Sequence, residues 1–183
     1  MTIKMNVKRR ADTVGTLRFV SVFLMETLAS WIPATPEMEV KILFSRQVWR
    51  MAQQADRLGR RARELRAPLH YSRPPQRDFL AAFKQLAAVT DTVDRIDAFH
   101  DIALSALAAE YKVYLTETDR LTDEPTVVIC NQALEEIKIM QRERQEWGSE
   151  IPKARATDSG ALKAVRQAIA ATKEMVDRNE QAA

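Results

Sequence analysis

Asp97 and His100 stand three residues apart, the spacing that places two metal-ligating side chains on one face of a helix. Asp91, Asp94 and Asp101 flank them, so one short stretch carries a string of carboxylates and an imidazole, donors suited to a first-row transition metal. The same residues have a plainer use. Aspartates stabilise a helix N-terminus, and a single histidine on an apolar stripe packs with a hydrogen bond. That plainer use is preferred unless a second imidazole comes close, and His70 is the only other one in the chain.

Other chemistry has less to work with. Cys130 is the sole cysteine, which excludes an intrachain disulfide or a thiolate metal cluster and marks it as a small core residue. It has no histidine in sequence reach, and with four glycines the chain offers neither a Gly-x-Ser-x-Gly elbow nor a phosphate-cradling loop. Tyr111 and Tyr114 read as core or interface residues rather than a radical relay. Lys and Arg number 28 against 25 Asp and Glu, and the resulting +3 is below what a dedicated nucleic-acid binder carries. One exception is Arg57-Leu-Gly-Arg60-Arg61-Ala-Arg63-Glu-Leu-Arg66, read as a solvated helix end that favours cations. A phosphate-binding surface is its weaker alternative, and such binding would fall steeply with salt.

The elements that must position these groups are helical. The 183 residues are 46% hydrophobic, enough for one packed domain and too little for two large ones. Aromatics at 7% argue against an aromatic-rich all-β protein, and no uncharged run approaches the roughly 20 residues of a membrane span. The basic N-terminus precedes an apolar segment, Phe19 to Met25, that is interrupted by Ser21, followed by Glu26 and without a cleavage site, so a cytoplasmic location is expected.

Val14, Leu17, Val20, Leu24, Leu28 and Trp31 form one stripe, predicting a first helix over 13–32 that Pro33 ends. Thr35-Pro36-Glu37 reads as an N-cap, a first-turn proline and an acidic turn. The second helix carries the seam Phe44, Val48, Met51, Ala55, Leu58, Ala62 and Leu65, antiparallel to the first. Residues 66–78 hold three prolines and predict an extended connection able to run the length of a bundle. A short helix over 79–89 follows. Thr90-Asp91-Thr92 then caps a third long helix with Val93, Ile96, His100, Ala103, Leu107 and Tyr114 on one stripe, ending near Thr122. Asp123-Glu124-Pro125 starts a fourth, with Cys130, Leu134, Ile137 and Met140 or Gln141 buried. A last amphipathic helix from Ser159 through Leu162, Val165, Ile169 and Val176 is expected to be peripheral, domain-swapped or used against a partner.

Two tight hairpins joined by one long crossover is an all-α layout that resembles the ferritin-like four-helix bundle over residues 13–148, flanked by an N-terminal extension, 1–12, and a C-terminal linker and helix, 149–183. Leu121-Thr-Asp-Glu-Pro125 is similar to the Asp-Glu-Pro turn of several ferritin-like and rubrerythrin-related proteins. The resemblance implies a di-iron site with a Glu on each of two helices and a Glu-x-x-His on each of the other two. This chain has no Glu-x-x-His, and Ile139 stands where a histidine would follow Glu136. Partial remains are Glu26, Glu110 and Glu136, since reflection about the turn near residue 122 sets Glu110 level with Leu134, one turn from Glu136. Pairing with Arg46, Arg50 or a lysine of the fourth helix explains buried carboxylates equally well.

The favoured expectation is a ferritin-like bundle with a degenerate or incomplete metal site, acting as a binding, structural or accessory subunit that docks on itself or on another protein. No catalytic residue is assigned. The alternative is a non-heme iron oxidoreductase acting on a small organic substrate, with metal ligands drawn from Glu26, Glu39, Glu110, Glu136 and His100. The cofactor is accordingly none or iron, and a homo-oligomer or a protein partner is expected because long apolar helices leave a face to cover.

Overall fold

The computed structural model describes residues 5–148, 150–152, 158–172 and 174–176, and among them all regular structure is helical. The first helix, α1 (Val7–Trp31), starts earlier than its stripe predicts because Asn6 caps it, accepting the Arg9 N–H at 2.8 Å. Val14, Leu17, Leu24 and Leu28 are fully buried along the expected face. Polar residues are buried beside them. The hydroxyls of Thr13, Thr16, Ser21 and Thr27 each donate to the carbonyl four residues earlier, so they enter the core already satisfied.

Thr35 behaves differently from its expected role as the cap of the second helix. Its hydroxyl donates back to the Trp31 carbonyl at 2.8 Å and closes α1, while α2 (Met38–Glu64) starts after Glu37 with no side-chain cap. The α2 seam is buried except at Val48, which is half-buried. α1 and α2 form one antiparallel pair. α5 (Leu104–Glu117) and α6 (Glu124–Glu146) form the other, and α2 packs on α6 and α1 on α5.

Contacts at the two ends define the directions. At one end Arg9 pairs with Glu117, and Arg10 and Arg61 both reach Asp123, joining the start of α1, the end of α2, the end of α5 and the start of α6. At the other end Trp31 packs on Phe44 with ring centroids 5.7 Å apart, and Thr92 donates to Glu37. The chain must therefore cross from one end to the other between α2 and the third long helix. It does so along α1. Arg73 N–H donates to the Gly15 carbonyl at 3.2 Å, and Arg18 donates to the Tyr71 carbonyl at 2.8 Å. The crossing is close enough that a β-carbon at Gly15 would lie 2.7 Å from the Tyr71 ring. Helix α3 (Arg77–Ala87) continues the path, with Phe83 edge-on to Phe23 and the Ala87 carbonyl accepting from the Trp31 indole.

The third long helix is not one regular α-helix. It runs as α4 (Thr92–Asp97), a π-helical segment (Ala98–Ala103) and α5, and it ends at Thr118 rather than near Thr122. There Asp119 accepts the N–H groups of Leu121 and Thr122 and tightens the turn into α6. α7 (Gly160–Ala171) starts at Ser159 as expected but stops before Val176. It is not peripheral within this chain. Leu162 and Val165 are buried, α7 packs on α3 and the π segment, and Met175 and Val176 return to the core. No helix among the described residues is long and apolar enough to cross a membrane.

Candidate functional site

The expected metal ligands are dispersed. Glu26 on α1 and Glu39 on α2 are exposed, Glu110 is buried on α5, and His100 is fully buried in the π segment. Glu136 on α6 accepts from Arg50 of α2 at 2.6 Å, and the same guanidinium reaches Glu143 at 2.7 Å. Gln47 donates to Glu143, and Gln54 donates to the Tyr111 hydroxyl. Along its inner face α2 thus offers amides and a guanidinium where a carboxylate-bridged metal pair needs anionic donors. Among the described residues no group of three or more His, Cys, Asp or Glu side chains could hold a metal, so Glu26, Glu110, Glu136 and His100 are not brought together as one. Arg50 is the partner that the carboxylate-pairing reading anticipates for Glu136.

The Asp97–His100 pair is also divided. Arg144 of α6 bridges Asp97 and Asp101, the latter at 2.6 Å, while His70 is exposed and lines a separate groove with Arg18. Burial holds the Asp97 carboxyl above its ordinary value despite Arg144, with Asp101, Asp94 and Asp158 adding to the rise. The His100 Nδ1 lies 2.9 Å from the Ile96 carbonyl, which can only accept, so Nδ1 carries the proton and Nε2 is the bare acceptor. Burial pulls the imidazole down to about 4, leaving it neutral at physiological pH. A cavity of about 440 Å³ lies beside the π segment, against His100, Asp101, Gln141, Arg144, Gln145 and Ile151, but the imidazole itself is fully buried and has no surface open to it.

At the opposite end of α6 the Asp-Glu-Pro turn has a structural task. Asp123 is fully buried; its Oδ1 accepts from Arg61 at 2.9 Å and Thr126 at 2.6 Å, and its Oδ2 accepts from Tyr114 and Thr118, each at 2.7 Å. Arg10 Nε stands 3.8 Å from Oδ2. Burial alone would raise this carboxyl, but the hydrogen bonds from Thr118, Thr126, Tyr114 and Arg61 outweigh it and hold the group below its ordinary value. Asp123 therefore spends its carboxylate on side chains of three other helical segments, not on the backbone of its own helix. The arginine-rich stretch divides accordingly: Arg61 is buried in this knot, and Arg60 pairs with Asp56 at the surface. Cys130 is fully buried with its thiol pushed up to about 12, which leaves it without thiolate character.

Periodicity focused on the α2 seam passes over its outer face. Met38, Ile42 and Trp49 are 61%, 43% and 65% exposed and line a groove of about 730 Å³. Lys41, Arg46 and Arg50 line the same groove, and none of its lining residues is acidic. Arg46 also stacks over the Trp147 ring, 5.1 Å from its centroid, which fixes one wall. The signal was present in the sequence as an apolar set at helical spacing off the main seam. Comparison with protein-family models, with curated proteins and with solved structures finds no match.

Proposed function

We propose that this protein is a ferritin-like bundle that works as a binding subunit, docking an acidic amphipathic helix of a partner protein along the outer face of α2. The observation that carries this reading is Trp49, a large aromatic left 65% exposed on the same groove as the exposed Met38 and Ile42, where Lys41 has no carboxylate partner among the described residues. A groove spanning residues 38–53 is about 22 Å long at the α-helical rise, room for a partner helix of about four turns. Charge selects the occupant. A second copy would set Lys41 and Arg46 against themselves, Arg50 being already spent on Glu136 and Glu143, whereas a helix with apolar anchors and carboxylate flanks meets both features. The ferritin-like layout is supported by the two antiparallel pairs and the crossover along α1; a metal-independent role is supported by Gln47, Arg50 and Gln54 on the inner face of α2.

The test uses two labelled 16-residue amphipathic peptides of equal apolar content, one Glu-rich and one Lys-rich, titrated against the full chain by fluorescence anisotropy. The Glu-rich peptide is expected to bind, to weaken as salt rises, and to lose about 30-fold in affinity in Trp49→Ala, the equivalent of a hot spot of about 2 kcal/mol. Equal binding of both peptides, or no effect of Trp49→Ala, overturns the reading. Concentration-dependent dimerisation abolished by Trp49→Ala reassigns the face to a second copy.

A further inference from the structure

A groove of about 400 Å³ runs between α1 and α2, and it shares no lining residue with the open groove on the outer face of α2. Gly59, in the interior of α2, sets its register. A β-carbon there would lie 2.9 Å from Arg18 Nε, so the glycine, a poor residue for a helix interior, is what admits the Arg18 side chain of α1 against α2. With the two helices antiparallel and Arg18 on Gly59, Val22 comes level with Ala55 and Met25 with Ala52. The groove therefore has two unlike ends. Arg18, Arg60, Arg63 and His70 stand at one, and the other, about 10 Å further along α1, is floored by small and apolar side chains. Leu69 and His70 flank the cationic end from the tip of the turn 68–71, where the Tyr71 N–H donates to the Pro68 carbonyl at 3.1 Å. His70 holds there a φ of 59°, a left-handed conformation that favours Gly or Asn.

Charge narrows the ligand. Asp56 is the one acidic residue lining the groove, and it is paired with Arg60 at 2.7 Å. Arg18 donates to the Tyr71 carbonyl at 2.8 Å, a neutral acceptor, and neither Arg18 nor Arg63 has a carboxylate partner among the described residues. Two guanidinium charges thus stay uncompensated at one end. Arg63 is exposed and Arg18 half-buried, so both present N–H donors to the groove. The end of α2 accounts for Arg63, since a cation suits a helix C-terminus, but not for Arg18, which comes from the middle of α1. Carboxylates and phosphates are the groups that a guanidinium fork matches. A cation meets repulsion there, a neutral chain leaves both guanidinium groups unanswered, and a nucleic acid finds no Phe, Tyr or Trp in the lining on which to stack a base. The volume suits a small molecule. From the segregated ends and the two uncompensated arginines, we infer that the α1–α2 groove binds a small amphiphilic anion, a carboxylate or phosphate monoester on an unbranched apolar chain. Its head lies at Arg18 and Arg63 and its tail along Val22, Met25, Ala52 and Ala55.

The full chain is labelled with 13C at its methionine methyls, and the signals of Met25 in this groove and Met38 in the outer groove of α2 are assigned by Met25→Leu and Met38→Leu. Octanoate and octyl phosphate, below their micellar concentrations, are titrated separately to distinguish a carboxylate from a phosphate head. Octanol, octylammonium, acetate and inorganic phosphate are the comparisons. The expected result is a saturable shift of the Met25 methyl with octanoate, octyl phosphate or both, weaker at higher salt, with Met38 unchanged and no saturable shift from the four comparisons. Arg63→Gln, at an exposed position that tolerates substitution, should weaken the active compound about tenfold. The inference is overturned if neither anion shifts Met25 or if Met38 shifts in parallel. It is equally overturned if octanol or octylammonium binds as well, which means an apolar groove without charge selection, or if acetate or inorganic phosphate does, which means an anion patch that needs no tail. Wild-type affinity in Arg63→Gln also overturns it.

Discussion

Arg61, in the last turns of α2, places Nη2 2.9 Å from Oδ1 of Asp123 at the start of α6, and the carboxylate at the centre of this contact is fully buried. A buried ion pair is not stabilising by charge alone, since desolvation opposes it. Here the hydroxyls of Tyr114, Thr118 and Thr126 complete the carboxylate's hydrogen bonds, so the knot ties one end of the bundle at little residual cost.

Removing the carboxylate leaves two arginines facing each other without their shared partner. Asp123→Ala is expected to cost about 3–5 kcal/mol of unfolding free energy in urea titrations. Arg61→Met combined with Asp123→Ala should cost less than the sum of the two single variants. Because the folded state holds Asp123 below its ordinary value, its contribution is present at neutral pH and is lost as the pH falls through the acid range below that value. A fully additive double variant would show that the two groups are not coupled.

His100 gives a pH dependence at milder acidity. Its folded value is about 4 against 6.5 in the unfolded chain, so the unfolded chain binds the proton first and stability falls as pH drops from about 6.5 toward 4. Between pH 7 and 5 this amounts to about 2 kcal/mol. Asp97, raised in the folded state, acts in the opposite direction at the lower end of that range. Comparison of urea midpoints at pH 7 and 5 should show the loss in wild type and a smaller loss in His100→Gln. Identical losses in the two proteins would remove His100 as the cause.

The crossover depends on the absence of a side chain at Gly15. A β-carbon there would meet the Tyr71 ring at 2.7 Å, and that ring is held by its hydroxyl donating to Asp12 at 2.5 Å. Gly15→Val should displace the linker from α1, costing about 1–3 kcal/mol and exposing residues 65–76 to limited proteolysis. An unchanged cleavage pattern would mean that the linker is not held by this crossing.

Anaerobic loading with ferrous iron, followed by elemental analysis, should leave the chain without stoichiometric metal. The reason is the donor set: Arg50 occupies Glu136, and Glu26 is exposed on α1. About two irons per chain, the content of a di-iron centre, would restore the oxidoreductase reading and set aside the metal-independent role.

Much of the architecture was legible in single helices. The Val14-to-Trp31 stripe, the α2 seam, the Asp91 cap and the Pro125 helix start depend on spacing within one segment, and each lies where its pattern put it. Thr35 closes α1 instead of capping α2 because its sequence context suits either helix end, and only the nearby Trp31 carbonyl decides between them. The π segment left no comparable mark: Ala98 to Ala103 reads as ordinary helix, and only the folded chain shows the widened turn with α6 and α7 packed on it.

The candidate sites were legible only as residue types. Spacing puts Glu136 on an inward-facing turn and Asp97 beside His100 on one helix, but Arg50 and Arg144 reach them from other helices. Hydrophobic periodicity is a property of one segment, so the sequence by itself determined an all-helical chain, its buried stripes and its long crossover. Whether a carboxylate meets a metal, a guanidinium or solvent depends on the register between helices distant in sequence. The tertiary structure alone decided that Asp123 would be a structural knot, Trp49 an open face and His100 a fully buried imidazole tied to the Ile96 carbonyl.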